Sequence, residues 1–189
     1  MPNLRPFRQV SEYDVINLFA HATATDLARG TLVKPSVGWK NTDESVAEAG
    51  GPGAAYANTV SNRYATTAKV ATAGSGDAPL GMTLYDIKET DENGEKLIFN
   101  PRKAAEMQVV LSGQTVPIAT RGMFLYSGAT LASQTPDVNV KLYCDNNGEL
   151  TTGLGAPAAT RVKVAVALGA KDTNNHVLIY LDCAAGGNS

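Results

Sequence analysis

Two histidines and nine serines are among the residues of this 189-residue chain that could support nucleophilic or acid–base chemistry. A histidine that titrates near neutral pH commonly acts as a general base and can activate a serine. Neither His21 nor His176 lies near a candidate nucleophile in sequence, and Ser75, Ser112 and Ser127 lack the Gly-x-Ser-x-Gly setting of a nucleophile elbow. The members of a triad need not be adjacent, so this spacing disfavours a hydrolase without excluding one. We expect both histidines to have surface or structural roles.

Glycine-rich stretches at 50–53, 74–77 and 153–156 are the places where a phosphate group could bind. None is followed by the Lys-Ser/Thr pair that holds phosphate and magnesium in a P-loop. Gly153-Leu-Gly155 resembles the start of a dinucleotide-binding loop, but Pro157 disfavours the helix that must follow. We expect these stretches to be ordinary loops, with no cofactor bound and no catalytic residue among them.

Metal and sugar chemistry have only weak candidates. The acidic segment 91–95 (DENGE) offers carboxylates for calcium but does not fit a twelve-residue calcium loop, and a hydrophilic hairpin tip explains it better. Trp39, Tyr56 and Tyr64 are loose candidates for an aromatic sugar platform. Cys144 and Cys183 lack metal-ligand spacing, and each ends an apolar run. We expect no metal site and two free thiols, with a disulfide open if the protein matures outside a cell.

The amino-acid composition argues against nucleic acid and membranes as partners. Charged residues make up 18% and apolar residues 43% of the chain, and the formal net charge is −2. A nucleic-acid-binding protein is usually strongly basic, so nucleic acid is not expected as a partner. No apolar run approaches the roughly 20 residues of a membrane-spanning helix, and the first residues do not resemble a signal peptide. We therefore expect no membrane association and synthesis in the cytoplasm.

Short apolar runs separated by Gly, Asn and Asp predict a mainly β chain. Strands are expected over 14–20, 30–35, 79–87, 96–99, 107–111, 115–120, 122–126, 138–144, 149–153, 161–168 and 176–182. In the 161–168 strand, Val162, Val164, Val166 and Leu168 are expected on one buried face. Asn100 and Pro101 predict one short helix, as N-cap and first residue. The fold class is therefore a compact antiparallel β-barrel or sandwich.

The sequence also predicts an N-terminal arm and a long loop within the β-rich body. Residues 1–13 predict an extended N-terminal arm whose apolar side chains are covered by this chain's body or by a partner. Residues 14–189 are expected to form a single β-rich body. Within it, the Ala/Gly/Ser/Thr-rich region of about 40–77 is either a functional surface loop or contains a strand around 63–70. For 14–20 a strand is favoured, although Ser11 and Asp14 would also suit a helix start.

Four segments carry a resemblance to a known family. GTLVKP at 30–35, APLGMTLYDI at 78–87, VPIATRGMFLY at 116–126 and RVKVAVALGAKDTNNHVLIYLDC at 161–183 resemble bacteriophage head decoration proteins, also called capsid cement or stabilisation proteins. The resemblance covers most of residues 14–183. It implies a small β-tulip-like body. Two features depart from the family pattern, namely the extension at 40–75 and the helix after Asn100.

The same resemblance implies a function. It implies a non-enzymatic virion protein, acting as a dimer or trimer, that binds the major capsid protein on the outer capsid surface and stabilises contacts between capsid subunits. The arm would be the capsid contact, and the arginines could pair with capsid carboxylates. The expected contact residues are Leu4, Arg5, Pro6, Phe7, Arg8 and Val10.

The sequence is also compatible with other functions. The chain could be another phage structural subunit, such as a head fibre base, a tail tube or a connector. It could also be a carbohydrate-binding or adhesin module, or an unrecognised enzyme. Retention on a glycan resin would indicate the sugar module, and a deep polar pocket containing a histidine would indicate the enzyme.

Overall fold

The computed structural model describes residues 2–21, 26–37, 68–111, 113–153 and 162–183, which are mainly β. The strands are β1 (Asn3–Pro6), β2 (Val15–Ile16), β3 (Ala20–His21), β4 (Leu32–Val37), β5 (Lys69–Thr72), β6 (Gly81–Thr83), β7 (Asp86–Ile87), β8 (Val109–Val110), β9 (Ile118–Ala119), β10 (Arg121–Ser127), β11 (Lys141–Cys144), β12 (Leu150–Thr151), β13 (Lys163–Ala167) and β14 (Val177–Asp182). The helices are α1 (Pro101–Glu106) and α2 (Ala129–Ala132), and 3₁₀ turns span Glu12–Asp14 and Leu97–Phe99. No helix in these ranges has the length and apolar character needed to cross a membrane.

The strands build two six-stranded sheets and one small pair. Sheet I has the order β1-β10-β14-β13-β11-β12 and is antiparallel throughout. Sheet II has the order β2-β9-β6-β4-β5-β3, in which only β3 and β5 run parallel. The third sheet is the parallel pair β7–β8. The predicted mainly β, mostly antiparallel body is confirmed, and its described strands form open sheets rather than a closed barrel.

The core lies between the two sheets and continues behind sheet II. The inner face of sheet I packs against Leu32, Met82 and Ala119 of sheet II. Because successive side chains of a strand point to opposite faces, the neighbouring Val33 and Ile118 enter a second apolar cluster on the other side of sheet II. The centre of sheet II is therefore buried on both faces.

A bulge changes the expected orientation of the 161–168 strand. Consecutive residues Leu142 and Tyr143 of β11 pair with Ala165 and Lys163 of β13, so the register skips Val164. An extra residue inverts the alternation that follows it. The expectation of one buried valine and leucine face is therefore wrong beyond Val164. Ala165 and Ala167 point into the core, whereas Val166 is only partly buried and Leu168 is 40% exposed.

The helical segments differ in part from expectation. Helix α1 begins at Pro101 as predicted, although the Asn100 side chain makes no capping hydrogen bond. The expected strand over 96–99 is wrong. Only Leu97 of that stretch is buried, and Lys96 makes no more than an isolated bridge to Thr90, so the segment closes into a 3₁₀ turn. Helix α2 was not predicted, because its four residues carry no side-chain cap.

Three turns share one hydrogen-bond pattern, and one of them is the predicted hairpin tip at 91–95. Asp91, Asp145 and Asp172 each accept, through Oδ1, the backbone N–H groups two and four residues later, all at 2.8 Å. An aspartate that binds its own turn in this way replaces backbone partners that the turn cannot supply. In the DENGE segment, the Asp91 carboxylate thus accepts hydrogen bonds from the backbone of its own turn.

The pKa of Asp91 is held below its usual value of 3.8, first by the Lys103 ammonium that donates a hydrogen bond to Oδ2 and further by the turn N–H groups. A lowered pKa stabilises the fold above the unfolded value, and this contribution is lost as the pH falls through the folded value. We expect Lys103→Met to lower the unfolding midpoint at pH 7, and the difference from wild type to shrink below about pH 4. Thermal unfolding followed by circular dichroism at stepped pH measures this difference.

Lys96→Met is the matched control for that measurement, because Lys96 is exposed and has no ion-pair partner among the described residues. Its midpoint should follow that of wild type at every pH. A Lys103→Met deficit that stays constant down to pH 2 would show that the ion pair does not set the acid dependence.

Candidate interaction surface

The N-terminal segment is a strand of the body rather than a separate arm. Strand β1 pairs antiparallel with β10, so that Leu4 lies opposite Tyr126 and Arg5 lies opposite Leu125. Pro6 lacks a backbone N–H, which is tolerated because β1 forms an edge of sheet I. The expectation of an arm over 1–13 is therefore corrected for residues 3–6, which are extended but belong to the sheet.

The expected contact residues divide into anchors and exposed side chains. Leu4 is 2% exposed and belongs to the main core, and Val10 packs against the same core while staying partly open. This chain's own body covers Leu4, so we leave it out of the contact surface. The remaining residues of the expected set, Arg5, Pro6, Phe7 and Arg8, are exposed.

Backbone contacts hold the exposed part in a fixed position. The Phe7 N–H donates to the Met123 carbonyl at 3.1 Å, which extends the pairing of the two strands beyond β1. The Phe7 ring is nevertheless 55% exposed. Neither Arg5 nor Arg8 has an ion-pair partner among the described residues. The segment thus presents one aromatic ring and two free guanidinium groups from an ordered backbone.

The residues considered for catalysis are dispersed. His21 is buried in β3, whereas His176 lies at the turn before β14 with its Nδ1 3.5 Å from the Asp172 carboxylate. Ser75 is exposed in a turn and Ser127 ends β10. These four residues therefore lie on four different segments of the described structure. The aromatic residues considered for a sugar platform, Trp39, Tyr56 and Tyr64, lie outside the described residues, as do Ser112 and most of the 40–77 region.

Both thiols are free and shielded. Burial raises the pKa of Cys144 to about 12, and burial likewise raises the pKa of Cys183 to about 12. The Cys144 Sγ contacts the carbonyl oxygens of Ala73 and Asp145 at 3.5 and 3.3 Å. Burial thus favours the protonated form of both thiols at neutral pH, with Cys144 buried and Cys183 partly buried. Cys144 and Cys183 therefore do not form the disulfide that the sequence left open.

Two further surface features were not found by sequence reasoning. Ile98 and Phe99 are 65% and 78% exposed on their 3₁₀ turn, where an expected strand had placed them in a sheet. A cleft of about 460 Å³ opens between α1 and β8, and its described lining, which includes Tyr85 and Gln114, carries no charged side chain. No sequence signal distinguishes either feature, because both depend on how distant segments pack.

Within the five described ranges, no group of three or more His, Cys, Asp or Glu side chains is placed to hold a metal ion. No protein-family model matches the chain, and neither a curated protein nor a solved structure is significantly similar to it.

Proposed function

We propose that this chain is a non-enzymatic structural protein of a phage particle that binds the outside of an assembled capsid. In this proposal its partner is the major capsid protein, and the chain, acting as a dimer or trimer, stabilises contacts between capsid subunits. The observation that carries the proposal is the N-terminal segment, which Leu4 anchors in the core and which presents Arg5, Phe7 and Arg8 to solvent. The likeness of four sequence segments to head decoration proteins supports the same function.

The physical basis of binding differs from that of a disordered arm. A segment already held in a sheet loses little conformational freedom on binding, so more of its contact energy contributes to affinity. Arginine suits this role because its planar fork can bind a carboxylate through two hydrogen bonds. Repetition over a lattice then converts modest contacts into strong binding through avidity.

Co-sedimentation with capsid shells tests the proposal. Shells assembled from the major capsid protein encoded in the same genome should bind the wild-type chain saturably, at a fixed ratio to that protein. The double variant Arg5→Glu/Arg8→Glu should bind about tenfold more weakly or worse, because its charges would repel the capsid carboxylates. Lys96→Glu, which reverses a single charge at an exposed lysine outside sheet I, should bind like wild type.

The results of the co-sedimentation experiment distinguish the proposed function from its alternatives. Absence of binding by the wild-type chain would overturn the proposal, and assembly of the chain alone into tubes or rings would favour a tail or connector subunit. Equal binding by the double variant and wild type would remove the N-terminal segment from the contact. Circular dichroism of each variant establishes that a loss of binding is not a loss of fold.

A further inference from the structure

The bulge in β13 leaves large apolar side chains on the outer face of sheet I. Beyond Val164 the small residues Ala165 and Ala167 occupy the core, and the larger Val166 and Leu168 point outward. A strand whose only purpose was to fill the core would place its larger side chains inward. The orientation of this strand therefore retains apolar surface that folding does not bury.

Neighbouring strands extend this surface into a continuous patch, which we call the outer face. Met123 lies opposite Tyr180, which in turn lies opposite Val166. In the next row Leu125 lies opposite Leu178, whose carbonyl accepts the Leu168 N–H. All of these residues are partly or well exposed, and the Phe7 ring continues the first row at β1. The outer face consists of Met123, Leu125, Val166, Leu168, Leu178 and Tyr180.

The charges on the outward positions of sheet I are mainly positive. Arg5, Lys141 and Lys163 occupy such positions, and none has an ion-pair partner in the described part of the chain. Asp182 also occupies an outward position of sheet I, and its carboxylate lies 3.4 Å from the Arg121 guanidinium. The apolar patch is thus bordered by three uncompensated cations.

We propose that the outer face is a docking surface for a protein whose contact area is apolar and bordered by carboxylates. If the proposed function is correct, on which this assignment rests, that protein is the capsid subunit. Apolar side chains at the centre of an interface with complementary charges at its rim provide affinity and orientation, respectively. The outer face and the exposed N-terminal residues then form one continuous contact surface, since Arg5 pairs with Leu125 and Phe7 lies beside Met123.

Charge disfavours a second copy as the occupant of the outer face, and the burial of its apolar side chains disfavours a lipid surface. A second copy related by a two-fold axis would place the same three cations of each copy against one another, and like charges across an interface oppose association. An anionic lipid surface would attract the cations, but most apolar side chains of the outer face are half-buried in the sheet and offer little area for insertion among acyl chains. A protein surface can cover this face without insertion and can present carboxylates opposite the three cations.

Lysine acetylation footprinting tests the assignment with the same capsid shells. Lys141 and Lys163 should be acetylated at least about fivefold more slowly, by mass spectrometry, when the chain is bound. The exposed Lys96, which is not part of sheet I, is the internal control and should be labelled equally in both samples. The variant Leu125→Glu should bind shells about 30-fold more weakly, as expected for a residue at an interface centre. The control Ile98→Glu, on the exposed 3₁₀ turn, should bind like wild type.

The outcomes separate this inference from the proposed function. Binding to shells with unchanged labelling of Lys141 and Lys163 would overturn the docking surface and leave the capsid function standing. Failure of the wild-type chain to bind shells would overturn both. Protection that depends on protein concentration without shells would assign the face to a second copy, and protection by phosphatidylserine vesicles but not by shells would assign it to a membrane. Either of the last two results would contradict the inference.

Discussion

Replacing Leu4 by alanine is expected to lower the free energy of unfolding by about 2–5 kcal/mol, although this residue is the fourth of the chain. The Leu4 side chain is 2% exposed and lies beside Tyr126 in the main core. Truncation removes the buried methyl groups and leaves a cavity that a strand held by pairing can fill only in part. Equilibrium denaturation in urea, followed by circular dichroism, measures the change.

Phe7→Ala is the matched control for Leu4→Ala, because it removes a larger apolar side chain from the same segment. Its ring is 55% exposed, so we expect a change within about 0.5 kcal/mol. Equal effects of the two variants would contradict the division of this segment into a buried anchor and exposed contact residues.

The anchor also determines how binding must be tested. Deletion of residues 1–13 would remove the whole of β1 and with it a core leucine and the edge of sheet I. A truncated chain that fails to bind shells would therefore not distinguish lost contact from lost stability. Point substitutions at Arg5, Phe7 and Arg8 change the exposed side chains and leave the core intact.

Gly81→Ala is expected to destabilise the fold by about 3 kcal/mol or more. A Cβ atom at Gly81 would lie 2.2 Å from the Ala119 carbonyl oxygen and 2.8 Å from Ile118 Cγ2. The first of these atoms belongs to the backbone of β9, so it cannot move away unless β6 and β9 separate. This effect exceeds the usual 1–3 kcal/mol for overpacking, because the clash is with backbone rather than with a flexible side chain. Urea denaturation again gives the change.

Gly169→Ala provides the comparison for Gly81→Ala. A Cβ atom at Gly169, in the turn after β13, would meet no atom within 4 Å. We expect its stability to stay within about 0.5 kcal/mol of wild type. If Gly81→Ala were tolerated equally well, the close approach of β6 to β9 would be wrong.

Local sequence signals predicted much of the fold. The Asn100-Pro101 pair predicted the start of α1, and the Gly, Asn and Asp residues between apolar runs predicted the turns that begin at Asp91 and Asp145. These signals act within a few residues of themselves, so they can be interpreted without knowing the tertiary structure. The pairing of β1 with β10 joins residues more than 100 positions apart and has no local signal.

The candidate surface was harder to predict, for two physical reasons. The expected contact set was one continuous segment, but strand alternation sends Leu4 inward and Arg5 outward. The outer face was hidden because a bulge opposite Leu142 and Tyr143 inverts the alternation of β13, and its position depends on the register with β11. Sequence periodicity therefore assigned Val166 and Leu168 to the core.

Electron cryomicroscopy of capsid shells, reconstructed with and without the bound chain, tests the central claim most directly. The proposed function predicts added density at regular sites on the outside of the shell, with β1 and the outer face of sheet I turned toward the capsid subunits. Shells without added density, or density confined to a tail or connector, would contradict the claim.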